Sequence, residues 1–316
     1  MTVSPHRDLT GIFKAYDVRG VVPDELDEEI ARSIGSAFAE WSGADAVAVG
    51  RDSRLSSPAL AVALSEGIAS RGTDVIDIGL ASTDLLYFAS GSRDVAGVML
   101  TASHNPPEYN GMKFCLPGAR PVGEDTGLAE IRDLAERHAA GPSAITGAVK
   151  QEELLEAYVE HVLSFVDVSL MRPLTVVADT ANGMGGLVVP PVFERLPMTL
   201  VHLYPELDGT FPNHPADPID PANRRDLDRE VRERRADIGL AFDGDADRVF
   251  LVDERAEGVS GSEVTALIAA AMLERHPGAA PVAQPPAGKL VGDLVRGDGD
   301  SCGQALQDRH QGGAVR

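Results

Sequence analysis

Short apolar runs alternate with segments of helical periodicity along this chain, and that alternation restricts the fold more than any single residue does. Ala46-Val47-Ala48-Val49, Thr73 to Ile78 and Ala96 to Leu100 read as strands, with Pro58 to Ser70 as a helix among them. The plan recurs with strands at Thr175 to Ala178, Thr199 to Leu203 and Asp237 to Phe242, and a charged helix from Ala222 to Arg235. Such a pattern predicts α/β layers with mostly parallel strand pairing. Leu155, Val159, Val162 and Val166 fall at helical spacing, so Glu152 to Val166 reads as a helix entering a second domain and the first ends near Lys150. At 316 residues the chain exceeds one ordinary core, and two or three domains are expected.

The strand Ala96 to Leu100 runs into Thr101-Ala102-Ser103-His104-Asn105-Pro106-Pro107. Proline fixes φ and lacks an N–H, so the strand must stop here and Ser103 should sit on a rigid bend, its hydroxyl toward a cleft. An ordinary strand-terminating turn would use the same residue types. The strand Asp237 to Phe242 runs directly into Asp243-Gly244-Asp245-Ala246-Asp247-Arg248. Three carboxylates in one short loop repel unless a cation joins them, and hard oxygen ligands suit Mg²⁺ or Ca²⁺. The alternative is a solvated acidic turn. A calcium EF-hand also has acids at its first, third and fifth loop positions, and Glu254 falls at the twelfth. Arg248 stands where that loop needs glycine, however, and strands are expected on both sides.

Thr-Ala-Ser-His-Asn-Pro, followed about 140 residues later by Asp-Gly-Asp-Ala-Asp-Arg, resembles the α-D-phosphohexomutase superfamily. Lys14-Ala15-Tyr16-Asp17-Val18-Arg19-Gly20 is similar to the opening of its phosphomannomutase/phosphoglucomutase branch. Gly50-Arg51-Asp52-Ser53-Arg54, Asn110-Gly111-Met112-Lys113 and Asp208-Gly209-Thr210-Phe211-Pro212-Asn213-His214 match as well. The likeness extends over roughly residues 10 to 275. It implies consecutive three-layer α/β/α domains with mixed, mostly parallel sheets: domain I over 1–150 with the phosphoserine loop, domain II over 151–255 with the metal loop, and a partial domain III over 256–316. From about Pro277 the sequence turns to Ala, Pro, Gly and polar residues with little periodicity. The sugar-binding and phosphate-binding loops of full-length relatives are not found, so the expectation is a C-terminally truncated member without domain IV.

The resemblance further implies that Ser103 carries a phosphoryl group and that Mg²⁺ is held by that phosphate with Asp243, Asp245 and Asp247. A phosphoryl group in flight spreads negative charge over its oxygens, so its transfer depends on in-line positioning and on a metal and cations to absorb charge. A phosphoserine and three carboxylates total about −5, so basic residues must converge. Arg19 and Lys113 are the candidates for handling the sugar hydroxyl proton, Arg248 and Tyr16 for binding the phosphorylated ligand, and His104 and Asn105 for orienting the phosphoserine. Asn182-Gly183-Met184-Gly185-Gly186 could cradle an anion, although glycine turns after strands are commonly structural.

A formal charge of −21 disfavours nucleic acid and anionic membranes as partners. Two cysteines, Cys115 and Cys302, suit a reducing compartment rather than a disulfide framework. The N-terminus is polar and the longest apolar run, Val264 to Leu273, is too short to span a bilayer, so a cytoplasmic location is expected. Two function classes stay open. One is an enzyme moving a phosphoryl group between the 6- and 1-positions of a mannose or glucose phosphate through a hexose 1,6-bisphosphate. The other is an impaired fragment that keeps the phosphoserine and metal site. A monomer or a dimer is expected.

Overall fold

A computed structural model of the chain describes residues 8–137, 146–276 and 278. They fall into two compact units divided after Gly258, each taken by itself below. The first unit opens with β1 (Val18–Val21), α1 (Glu28–Ser42), β2 (Ala46–Arg51), α2 (Ser57–Ala69), β3 (Asp74–Leu80), α3 (Thr83–Arg93) and β4 (Ala96–Leu100). Then come β5 (Tyr109–Leu116), β6 (Arg120–Pro121), α4 (Leu128–Arg137) and β7 (Val149–Gln151). Their sheet runs β1-β5-β4-β2-β3-β7, with β6 on the side of β5. It is parallel from β4 through β2 and β3 to β7, and antiparallel across β1, β5 and β4.

Alternation along the strands separates two cores. Val47, Val49, Val98 and Leu100 pack under α1, α2 and α4, whereas Ala48 and Met99 point the other way onto Leu85 and Leu86 of α3. Helices on both faces of a mixed sheet are the α/β/α arrangement. Helix α1 begins where the Asp27 carboxylate accepts from Ile30 N at 2.7 Å, and ends at Gly43 in the left-handed region. Ile30, Ile34 and Phe38, spaced four apart, are its buried stripe.

The same plan follows in α5 (Leu155–Leu163), β8 (Thr175–Asp179), α6 (Gly185–Phe193), β9 (Thr199–Leu203), α7 (Arg225–Arg234), β10 (Ile238–Phe242) and β11 (Val249–Val252). Strands β9, β8 and β10 are parallel and β11 is antiparallel to β10. Val177, Ala241 and Val252 pack on Leu227 and Val231 of α7, and Ala178 lies among Met184, Val188 and Val189 near α6. The short strand β12 (Gly258–Val259) crosses into the second unit, whose helix α8 (Gly261–Arg275) starts with Ser260 and Glu263 capping each other.

Several boundaries differ from the sequence expectation. Helix α5 is shorter than Glu152 to Val166, because Glu152 N is drawn to Asp77 O at 3.0 Å beside the sheet edge, and only Val159 of its apolar stripe is buried. The expected first turn of α7 is a 3₁₀ turn, Pro221–Arg224, capped by Asp220. Helix α6 is not expected from the sequence, since Pro190 and Pro191 lie inside it. Cys115 is buried in β5. Cys302, Pro277 and the sequence from 279 onward lie outside the described residues. Among the described residues no helix is long and apolar enough to cross a membrane.

Helices α1 and α2 cross at glycines: a Cβ on Gly35 would stand 2.2 Å from Leu64 O, and one on Gly67 would stand 2.0 Å from Arg32 O. Gly91 of α3, by contrast, has open space around the position a Cβ would take. Gly35→Ala is expected to destabilise the protein by on the order of 1–3 kcal/mol through backbone displacement. Gly91→Ala is expected to stabilise it by about 0.4–1 kcal/mol through a less flexible unfolded chain. Urea unfolding midpoints of the two variants should therefore move in opposite directions; equal shifts would disprove the close crossing.

Candidate active site

The chain leaves the first sheet at Leu100 and returns as β5 at Tyr109, and much of the loop between them lies outside the strand ladder. The Arg54 guanidinium takes over three of the loop's carbonyls and that of the first β5 residue. It donates to Ser103 O at 2.9 Å, Asn105 O at 2.7 Å, Pro106 O at 2.6 Å and Tyr109 O at 3.0 Å. Its Nε donates to the Asp52 carboxylate at 3.1 Å, and Ser57 Oγ donates to the other oxygen of that carboxylate at 2.6 Å. Asn110 Nδ2 reaches Ser57 Oγ at 2.9 Å, which ties the start of β5 to the same network. Within the braced loop Ser103 has φ 49°, a left-handed conformation that non-glycine residues seldom adopt.

Between β10 and β11 lies the turn Asp243 to Arg248, flanked by strands, closed by Asp243 N donating to Arg248 O at 3.2 Å and by Ala246 N donating to Asp243 O at 3.1 Å. Two glycines allow it to reach the serine loop. A Cβ on Gly244 would stand 2.4 Å from Ser103 O, and one on Gly183 would stand 2.7 Å from Gly244 O. The glycine-rich turn at 182–186 therefore serves close backbone packing, with Met184 N donating to Gly244 O at 2.9 Å. The Thr83 hydroxyl at the start of α3 donates to Asp245 Oδ2 at 2.6 Å.

These elements bring together Ser103, His104, Asn105, Arg19, Lys113, Arg248 and the three aspartates. Ser103 is only 3% exposed, and Oγ donates to Asp243 Oδ2 at 2.7 Å. Arg248 Nη2 donates to Ser103 Oγ and to Asp243 Oδ2, and it lies 2.7 Å from His104 Nδ1. Lys113, opposite Met99 in the β4–β5 ladder, donates to Asp245 Oδ2 and Asp247 Oδ2, each at 2.5 Å. Arg19, opposite Gly111 on β1, donates to Asn105 Oδ1 at 2.7 Å and also to Ala102 O and Asp17. Tyr16 stands on the segment before Arg19 and is 55% exposed.

Charge in the cluster is balanced locally. Burial pushes Asp243 well above the ordinary carboxylate range, reinforced by the negative charges of Asp245 and Asp247. Burial also acts upward on Asp245, but the Lys113 ammonium and the Thr83 hydroxyl outweigh it and hold that carboxyl below its usual range. Burial opposes the charge on Lys113, and the two carboxylates it bridges overcome that and hold it protonated. His104 is pushed down, first by burial and then by Arg248, so its ring is neutral at pH 7.

The donor set fits a hard divalent cation. One oxygen from each of Asp243, Asp245 and Asp247 lies within 4.8 Å of the others, and Asp245 Oδ1 is a buried carboxylate oxygen with no hydrogen-bond partner. An orphaned acceptor of this kind is costly unless a cation or donor meets it. Sequence reasoning had not assigned Arg54, Asp52, Thr83 or Asn110 to the site. Of these, Arg54 and Asp52 lie in the stretch Gly50 to Arg54 and Asn110 in the stretch Asn110 to Lys113, where residue identity was visible but partnership was not.

Comparison with known proteins identifies the two layered domains that carry these loops. Residues 10–141 match the phosphoglucomutase/phosphomannomutase α/β/α domain I model, and residues 156–258 match the corresponding domain II model. A protein named "Phosphohexose mutases" from Xanthomonas campestris pv. campestris is 44% identical over 274 residues, covering 86% of this chain and 61% of the relative. A phosphomannomutase of Salmonella montevideo is 42% identical over 275 residues, covering 84% of this chain and 60% of its own length. The chain thus spans about 60% of the length of these relatives. A crystal structure of a phosphoglucomutase/phosphomannomutase family protein from Burkholderia thailandensis superposes with a TM-score of 0.78 at 37% identity, covering 85% of this chain and 60% of that one. With both domain models matched in order, one for the sheet that carries the serine loop and one for the sheet that carries the acidic turn, the chain belongs to the phosphoglucomutase/phosphomannomutase family of the phosphohexomutase superfamily.

Proposed function

We propose that this chain acts as a phosphohexomutase, an isomerase that moves a phosphoryl group between the 6- and 1-positions of a mannose or glucose phosphate. The carrier is a phosphoserine at Ser103 and the intermediate a hexose 1,6-bisphosphate. The observation that carries this reading is the placement of Ser103 Oγ, held between the Asp243 carboxylate at 2.7 Å and the Arg248 guanidinium beside a carboxylate trio. Residues 1–150 act as the phosphoserine domain and 151–255 as the metal-binding domain. The names of the relatives, phosphomannomutase and phosphohexose mutase, support the reaction class.

In the first half-reaction a sugar hydroxyl oxygen attacks the phosphorus of phosphoserine 103. The P–Oγ bond breaks, the new P–O bond forms on the sugar, and the sugar's proton ends on Ser103 Oγ. The second half-reaction is the reverse at the other phosphate of the bisphosphate, restoring phosphoserine and releasing the isomeric monophosphate. Arg248, which donates to Oγ, stabilises the charge that gathers there as the bond breaks. His104 Nδ1 lies 2.7 Å from Arg248 Nη2 and fixes its direction. Arg19 holds the Asn105 side chain and the Ala102 carbonyl, which keeps the loop's opening in place. Lys113, protonated between two carboxylates, acts as a charge donor rather than a free base. Asp243, Asp245 and Asp247 would hold Mg²⁺, which when bound polarises the phosphoserine and offsets its charge.

Incubation with glucose 1,6-bisphosphate and Mg²⁺ should place a phosphate on Ser103, read by mass spectrometry of the intact chain and its peptides. Ser103→Ala should remain unlabelled. Label at Ser53, Ser56 or Ser57 alone would overturn the assignment.

Because the Lys113 ammonium sits against two of the three carboxylates and repels a second cation there, Lys113→Met is expected to bind Mg²⁺ more tightly than the parent in calorimetric titration. Asp245→Asn should weaken binding by at least the roughly 10–100-fold that losing even an outer-shell partner costs. Indifference of Mg²⁺ affinity to both changes would place the metal elsewhere.

A further inference from the structure

Among the described residues Arg54 is the largest fully buried side chain, 1% exposed, and none of the roles above belongs to it. Every N–H of its guanidinium is spent: one on Asp52 and four on the carbonyls of Ser103, Asn105, Pro106 and Tyr109. A second element closes over it from the half of the unit that carries the acidic turn. The Phe211 ring lies 5.1 Å from the guanidinium carbon, and a Cβ on Gly209 would stand 2.4 Å from Arg54 Cα and 2.5 Å from Ser53 O. Phe211 takes up this position at φ 49°, a strained conformation for an aromatic residue. The segment is tied down behind by Asn213 Nδ2 donating to Asn182 Oδ1 at 2.7 Å, and by His214 Nε2 lying 3.1 Å from the buried Asp179 carboxylate.

We propose that Arg54 is a positioning residue for phosphoryl transfer: it fixes the left-handed conformation of Ser103, and the latch formed by Gly209 and Phe211 holds Arg54 in register. The proposal rests on Ser103 being the phosphoryl acceptor. A planar fork with five donors can take four diverging carbonyls and a carboxylate at once, which a lysine ammonium with three donors cannot. The carbonyl that Arg54 grips on Ser103 is the same one that Gly244 abuts, so displacement of Arg54 moves Oγ relative to Asp243 while leaving the carboxylate trio intact. Oγ must lie in line with the phosphorus it attacks, and small misplacements of a reacting atom are costly.

Arg54→Lys, Gly209→Ala and Phe211→Leu would be compared with the parent in single-turnover labelling by glucose 1,6-bisphosphate, where Ser103 Oγ displaces the sugar oxygen from phosphorus and the serine proton leaves with the sugar. Maximal rate, half-saturating bisphosphate, Mg²⁺ affinity and melting temperature would be measured for each. The expected result for Arg54→Lys is a maximal rate lower by on the order of 10²-fold, with half-saturation and Mg²⁺ affinity unchanged. Gly209→Ala and Phe211→Leu should fall between it and the parent. If Arg54→Lys does not fold because Asp52 is left buried beside a poorly fitting partner, the two latch variants decide the matter. Folded variants that label Ser103 at the parental rate would overturn the positioning role alone, as would a rate that falls only in step with Mg²⁺ affinity or melting temperature. Failure of the parent to label at Ser103 would instead overturn the functional reading, and the positioning role with it.

Discussion

Three buried or half-buried carboxylates beside a serine would repel one another and the solvent-starved interior alike, so the whole site depends on how cations are delivered to them. Two arrive from different elements. Lys113 comes from the middle of β5 and bridges Asp245 and Asp247, while Arg248 closes the acidic turn itself and covers Asp243. Uncompensated charges at this depth would cost several kcal/mol each, so the order of strands that sets β5 beside β4 is as much a part of the site as the acids are. The antiparallel return of β5 is what places a lysine within reach of the acidic turn.

Backbone proximity is the second constraint. The serine loop and the acidic turn come from different sheets, and side chains alone could not bring Ser103 Oγ and Asp243 Oδ2 to 2.7 Å while keeping both buried. Glycines remove the obstacle at Gly244 and Gly183, where any Cβ would collide with a carbonyl or its neighbours. Helix α3 joins the arrangement through Thr83, whose N–H donates to Asp245 O at 3.1 Å and whose hydroxyl donates to the same residue's side chain. The first turn of a helix thus satisfies both ends of one aspartate. A ligand site at the C-terminal ends of parallel strands such as β4 and β10 is the usual outcome of this layered architecture.

Much of this was legible in sequence because the signals were local. Ala96 to Leu100 and Thr199 to Leu203 form strands with the expected ends, since short segments rich in apolar and β-branched residues between turns leave little choice. The acidic turn and the serine bend were legible for the same reason: carboxylates at alternate positions and prolines after a strand carry their consequences within a few residues. What the sequence did not disclose was partnership. Arg54 is an arginine among charged neighbours until the fold buries it, and nothing nearby states that four carbonyls roughly fifty residues away will need donors. Phe211 and Gly209 carry no sign that they will meet Arg54. Helix α6 was hidden by its prolines, which tertiary packing of Val188 and Val189 overrides.

The arrangement also explains why phosphate and cation should enter together, on the reading that Ser103 carries the phosphoryl group. As it stands, the trio is met by Lys113 and Arg248, and one oxygen of Asp245 is left over. Adding a phosphate to Ser103 brings about −1.5 to −2 charges to within hydrogen-bonding distance of Asp243, which these two cations cannot absorb as well. Adding a divalent cation alone, beside Lys113 and Arg248, would leave an excess of positive charge. Adding both would leave the summed charge near its starting value and give Asp245 Oδ1 a partner. Each change alone unbalances charge at this depth, so charge balance couples occupancy of the serine to occupancy of the acidic turn.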